Sequence, residues 1–170
     1  MSGGVITVRP TVATDWPALR QLRLAALLES PHAFGVSHAE ALASSDDAWL
    51  VRAAGSGAAT FFMVFDDDQA VGMAAAVATS PGRLGLIAMW VSPHRRGAGA
   101  DGGRMADQLI AAIKAHSLKQ GALELTLEVA PDNHRAVALY ARHGFRFVPH
   151  VEPLASQPQI FVQRMAWTAG

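Results

Sequence analysis

The stretch that most constrains this chain runs from Leu84 to Gly103. A nearly continuous apolar run, Leu84 to Val91, is stopped by Ser92-Pro93 and followed by His94-Arg95-Arg96-Gly97-Ala98-Gly99-Ala100-Asp101-Gly102-Gly103. Such a run reads as a strand covered on both faces, because hydrophobic alternation is lost when neither side of a sheet meets water. Beyond the glycines, Met105, Leu109, Ile110 and Ile113 recur at helical spacing to about Lys119, and Gly121 stands where a helix C-terminus needs it. A buried strand, a glycine-rich loop and an amphipathic helix, in that order, call for a sheet with a helix laid across it.

The flanking segments extend this pattern. Val5 to Arg9 alternates like a short strand. Thr14 or Asp15, with Pro17, opens a helix with Leu19, Leu22 and Leu27 on one face, and Ser30-Pro31 ends it. His32 to Ala54 reads as a loop with one or two short helices, the last capped by Ser45 or Asp46 and turning Trp49 and Leu50 inward. Thr60 to Phe65 and Ala70 to Ala78 are strands joined by a polar turn, Asp66 to Gln69. Leu123, Leu125, Leu127 and Val129 alternate with Glu124, Thr126 and Glu128, which predicts a strand with one apolar face. Asn133 then caps a helix carrying Val137, Leu139 and Tyr140, closed by Gly144. Phe145 to Val151 and Gln159 to Trp167 are the last two strands, separated by a Pro-containing loop, Glu152 to Pro158, too long for a tight hairpin. The sum is an α/β sandwich around a mixed sheet.

Composition narrows the function classes. The chain has 170 residues, 51% of them hydrophobic, and no internal repeat or linker, so a single domain over 1–170 is expected. Its 14 Lys+Arg are interleaved with 14 Asp+Glu, which argues against nucleic acid and lipid as partners. The absence of cysteine removes thiol nucleophiles, cysteine-zinc sites and redox motifs, and agrees with a reducing, cytoplasmic setting. The N-terminus has no secretory pattern, and the longest apolar runs fall far short of the ~20 residues of a membrane span. The seven histidines show no HxH or HExxH spacing, so no metal is expected. GxSxG and GxxxxGK[ST] are both missing.

A glycine-rich loop between a strand and a helix is a place for a phosphate. Backbone N–H groups and the helix dipole favour an anion there, and Arg95 or Arg96 adds fixed positive charge. Gly97, Gly99 and Gly102 spell GxGxxG, which raises a dinucleotide-binding oxidoreductase as a rival. That motif ordinarily opens a doubly wound sheet, whereas here about half the chain precedes it and contains a hairpin.

Residues on both sides of the loop resemble the GNAT-type N-acetyltransferase superfamily. Its loop signature, Q/R-x-x-G-x-G/A, is matched by Arg96 and Gly99, with Asp101 where the family has Gly or Ala. Either Gly102 takes over that role through a one-residue insertion or Asp101 points to solvent. Ile87 to Pro93 resembles the family's fourth strand. Asn133, Ala136, Leu139-Tyr140 and Gly144-Phe145 follow its N-x-x-A-x-x-L-Y-x-x-x-G-F pattern. Leu22 to Leu27 with Ser30 to Gly35 is similar to the acceptor-facing region of many bacterial members.

The resemblance implies a mixed, mostly antiparallel sheet of about seven strands flanked by about four helices. It implies acetyl-CoA as acetyl donor, a small-molecule or peptide amine as acceptor, direct transfer in a ternary complex, and a homodimer as a common assembly. The pyrophosphate would lie on Arg95, Arg96, Gly97, Ala98, Gly99, Ala100, Asp101 and Gly102, and the pantetheine along Met89, Trp90 and Val91, with Asn133 reaching the cofactor. Tyr140, the only tyrosine, would serve the leaving thiol, its reference pKa of about 10 lying above a thiol's ~8.5. Glu128 is the first candidate base, and Glu29, Phe34 and Trp49 are candidate acceptor contacts. Core packing is the competing role for Phe34 and Trp49. A degenerate relative that binds acyl-CoA without transferring it is the second rival, motivated by Asp101.

Overall fold

Seven strands form one sheet in the order β1-β2-β3-β4-β5-β7-β6. The computed structural model describes residues 4–96 and 100–170, the side chains of 100–104 excepted. Along the chain come β1 (Ile6–Pro10), α1 (Trp16–Glu29), α2 (His38–Leu42), α3 (Asp46–Ala54), β2 (Ala59–Asp66), β3 (Gln69–Ser80) and β4 (Arg83–Val91). Then follow α4 (Ala100–Lys119), β5 (Glu124–Val129), α5 (His134–Arg142), β6 (Arg146–Leu154) and β7 (Gln157–Thr168). Short 3-10 turns lie at Ala13–Asp15, Pro31–Ala33 and Pro93–Arg95. β4 and β5 are parallel and the other neighbouring pairs antiparallel, as the mixed-sheet expectation requires.

The two faces carry separate cores. Phe62, Val64, Ala74, Ala76, Leu125 and Leu127 pack under α4 and α5 through Met105, Leu109, Ile110, Ile113 and Tyr140. Phe61, Met63, Met73, Ala75, Ala88 and Trp90 point the other way, against Leu19, Leu22, Leu27 and Trp49 of α1 and α3. Because β2 and β3 feed both cores, their sequences are apolar at nearly every position. The second core reaches only as far as β4. On that face β5, β7 and β6 are left without a helix, and a groove results.

Local chemistry explains most boundaries. Ser45 accepts the Ala48 N–H at the start of α3, Gly55 ends that helix with φ +74, and Asn133 accepts the Ala136 N–H at the start of α5. Four expectations need correction. Leu50 faces solvent, since the inward stripe of α3 is Trp49 and Ala53. Ile87 is exposed too, because the sheet opens beside it. α4 begins at Ala100, ahead of the first apolar repeat. Finally, β6 and β7 meet in a two-residue turn, Ala155-Ser156, with Leu154 opposite Gln157. Pro153 is accommodated because β6 is an edge strand. Pro158 falls in the register break between the Pro153–Phe161 and Leu154–Gln157 pairs, where no ladder N–H is needed.

Candidate active site

The site begins as a defect in the sheet. β5 pairs with β4 only through Arg83–Gly85 against Glu124–Thr126, and beyond that point the strands separate. Just there β4 carries a bulge: the pairs Ala75–Ile87 and Met73–Trp90 span two steps on β3 and three on β4. Within it Ala88 has φ +57, a left-handed conformation that a non-glycine residue holds only under surrounding constraint.

The bulge sets the orientation of the strand end. The Ser92 N–H donates to the Val71 carbonyl at 2.8 Å, so Val91, paired with Gly72, turns its own N–H and carbonyl away from β3. They face the fork, where β5 no longer runs alongside. Gly72 allows the close packing behind this turn, since a Cβ there would lie 2.9 Å from the Trp90 carbonyl oxygen.

Two cavities of about 320 and 580 Å³ open on the fork and share Ala33, Phe34, Met89, Asn133, Ala136 and Tyr140. The smaller continues along Trp90, Val91 and Arg96, and the larger reaches Arg23, Glu128, Glu152 and Arg164. Tyr140 stands at the junction. Its ring packs edge-on against Phe145, with centroids 5.9 Å apart, and burial pushes its phenol above the ordinary tyrosine pKa. Among the described residues its hydroxyl has no hydrogen-bond partner.

The charged groups are committed in specific ways. Arg96 donates from Nε to the Val91 carbonyl at 2.6 Å and from Nη2 to Glu29 at 2.6 Å, and the Trp90 indole donates to the same Glu29 oxygen at 3.0 Å. Chiefly through the Arg96 bond, the Glu29 carboxyl is held down at about 2. Arg95 pairs with Asp66 at the end of β2. Glu128 accepts from Arg164 at 2.7 Å, while its second carboxylate oxygen is buried without a partner. The ligand-type atoms of Glu128, His150 and Glu152 lie within 4.8 Å of one another, and His150 contacts Glu152 at 3.4 Å.

Thus Met89, Trp90, Val91, Asn133, Phe34 and Tyr140 come together on one cleft, with Glu128 on its far lip. Glu29 stands behind β4 as the partner of Arg96 and does not line either cavity. Trp49 is 1% exposed and belongs to the core beneath α1, away from both cavities. Gly97, Ala98 and Gly99 lie outside the described residues, as do the side chains of Ala100, Asp101 and Gly102. Sequence reasoning passed over Arg23, which lines the larger cavity from within the apolar run Leu22 to Leu27.

The mostly antiparallel strand order rules out the doubly wound dinucleotide-binding reading. Residues 16–145 match the model of the Acetyltransferase (GNAT) family. No curated protein matches the sequence at a significant level. Among solved structures, the fold is similar to a GNAT-family acetyltransferase from Streptococcus pneumoniae, with TM-score 0.77 and 16% identity over 97% of this chain and 100% of that one. It is also similar to the ribosomal-protein-S18-alanine N-acetyltransferase from Escherichia coli, with TM-score 0.67 and 18% identity over 98% and 97%. A third similar structure is the ribosomal L7/L12 α-N-protein acetyltransferase RimL in complex with coenzyme A, with TM-score 0.73 and 17% identity over 96% and 93%.

Proposed function

Because the chain belongs to the GNAT acetyltransferase family, we propose that it moves an acetyl group from acetyl-CoA to a primary amine of a small molecule or peptide. Residues 1–170 act as one domain, in the cytoplasm, and the amine attacks directly in a ternary complex. The observation that carries this reading is the meeting, on one cavity, of the fork-facing backbone of Val91 with the hydroxyl of Tyr140, which has no partner among the described residues.

These groups fit acetyl-CoA. The opened edge of β4 offers backbone groups to an amide-bearing arm, and the first turn of α4 follows the loop expected to meet the pyrophosphate. When bound, acetyl-CoA supplies a thioester whose C–S bond is exchanged for a C–N bond to the acceptor. The Val91 N–H donates to the thioester oxygen as negative charge grows on it. The Tyr140 hydroxyl gives a proton to the departing sulfur and recovers one from solvent. Phe34 at the junction and Leu139 in the smaller cavity keep bulk water from the reacting groups. Glu128, fixed by Arg164, takes the proton released by the attacking amine through water.

The test is calorimetric titration with acetyl-CoA and with NADH, followed by thiol release over a panel of amines. Binding of acetyl-CoA, with turnover of at least one amine, is the expected result. No acetyl-CoA binding overturns the proposal. Binding with no turnover of any amine replaces it by a degenerate acyl-CoA-binding protein.

A further inference from the structure

Arg23 sits in the middle of α1 and lines the larger cavity together with Phe34, its guanidinium 5.3 Å from the centre of the Phe34 ring. Its Nη1 is shut off from solvent and has no hydrogen-bond partner. Among the described residues no carboxylate pairs with it. The charge that bears on it has the same sign, from Arg52, which lies 4.6 Å over the Trp49 ring. Among the described residues, Arg52 itself donates to the Ser44 hydroxyl, at 3.3 Å. The Trp49 indole N–H is a further buried donor without an acceptor in this layer.

Such an arrangement is costly in a folded protein. A guanidinium keeps its charge at all ordinary pH, and a buried charge ordinarily brings its counter-ion with it. Here burial first, and the Arg52 charge second, lower the Arg23 pKa to about 10. The carboxylates lining the same cavity pair with other residues, Glu128 through one oxygen with Arg164 and Glu152 with His150. The lining thus holds an unpaired cation on α1 and carboxylates on β5 and β6, the latter beside Arg164 of β7, with Tyr140 of the fork among the same residues. At about 580 Å³ the cavity has the size of a small-ligand site.

Building on the transferase reading, we propose that the acceptor amine also carries a carboxylate, which Arg23 binds while the amino group lies at the fork. An α- or ω-amino acid has this chemistry. The planar fork of Arg23 suits two carboxylate oxygens, and Phe34 walls the path between the two ends.

The experiment compares glycine, 4-aminobutyrate, 6-aminohexanoate and L-phenylalanine with the carboxamide of each, so that net charge and amine-to-carboxylate span vary separately. Thiol release with acetyl-CoA is expected to favour the best acid over its amide by about tenfold or more in kcat/KM, chiefly through KM. Arg23→Met should bring that ratio toward one, and Arg23→Lys should hold part of it. A second arm needs neither turnover nor a variant: the same acids, without acetyl-CoA, should raise the unfolding midpoint of the wild type while their amides do not. Acids and amides turned over equally, or a preference untouched by Arg23→Met, overturn the inference and leave the transferase reading standing. Acid-specific stabilisation without turnover of any amine does the reverse.

Discussion

Tyr140 is buried and Arg23 half-buried, and among the described residues neither has a side-chain hydrogen-bond partner, yet they differ in what their removal should do. The phenol is neutral, and its raised pKa keeps it protonated beyond the ordinary value of about 10. Tyr140→Phe should therefore lower kcat about 100-fold, with acetyl-CoA affinity and the unfolding midpoint little changed. Steady-state kinetics beside a titration check this, and full turnover in the variant removes the acid role. The wild-type rate should show no loss from Tyr140 ionisation between pH 8 and 10. Arg23 carries a charge whose folded-state pKa is lowered, so its protonated form opposes folding at all pH values below about 10. Arg23→Met should make the ligand-free protein more stable by about 1 kcal/mol, read by urea unfolding at pH 7. A clear loss would mean that Arg23 serves packing. Tyr140 was legible in the sequence from its motif. Arg23 was not, because an arginine within an amphipathic helix looks like any solvated residue until the cavity beneath it is seen.

At the scale of elements, the end of α1 is tied to β4 by a carboxylate where a helix dipole disfavours one. Glu29, the last residue of α1, is held there by Arg96, Trp90 and Ser30. Its folded pKa, about 2, lies below the ordinary 4.5, so its contribution to stability is complete above about pH 4.5 and is lost as pH falls toward 2. Glu29→Gln should flatten the acid limb of the stability profile in that window. The effect should stay under about 1 kcal/mol, since the pair is partly exposed. The bulge of β4 makes a separate demand. Ala88→Gly should be neutral or stabilising by up to about 1 kcal/mol, the relief at positive φ set against glycine's unfolded-state entropy. Ala88→Val should destabilise, because a β-branched residue tolerates that conformation least. Parallel denaturant melts distinguish these outcomes. Strands and helices were readable from periodicity and caps. The bulge was not, since nothing in Ile87-Ala88-Met89 departs from an ordinary apolar strand, and the β6–β7 turn was hidden by prolines that an edge strand and a register break can absorb.

For the whole molecule, the fork is a property of pairing between segments some 40 residues apart: Gly85 and Thr126 touch, and their successors diverge. No local pattern encodes that divergence. The family resemblance supplied the topology, and the structure shows what opens the sheet: the second core stops at β4 while the first continues under β5. Within the sheet the two halves meet at the short β4–β5 contact, backed by α4 and α5 on one face and, on the other, by hydrogen bonds between Ser156 and Gln157 at the β6–β7 turn and Phe34, Pro31 and His32. A ligand seated in the fork touches residues of both halves, including Met89 and Val91 on β4 and Tyr140 on α5. Its binding energy should then appear as global stability. At a coenzyme A concentration 100 times its dissociation constant, linkage predicts about 2.7 kcal/mol. For a chain of this size that amounts to a rise in Tm of roughly 5–10 °C, in a single unfolding transition. A rise confined to one of two resolved transitions would mean that the ligand holds one half only. An equal rise with NADH would mean that the fork does not select for the pantetheine arm, and the assignment of β4 as its track would fall.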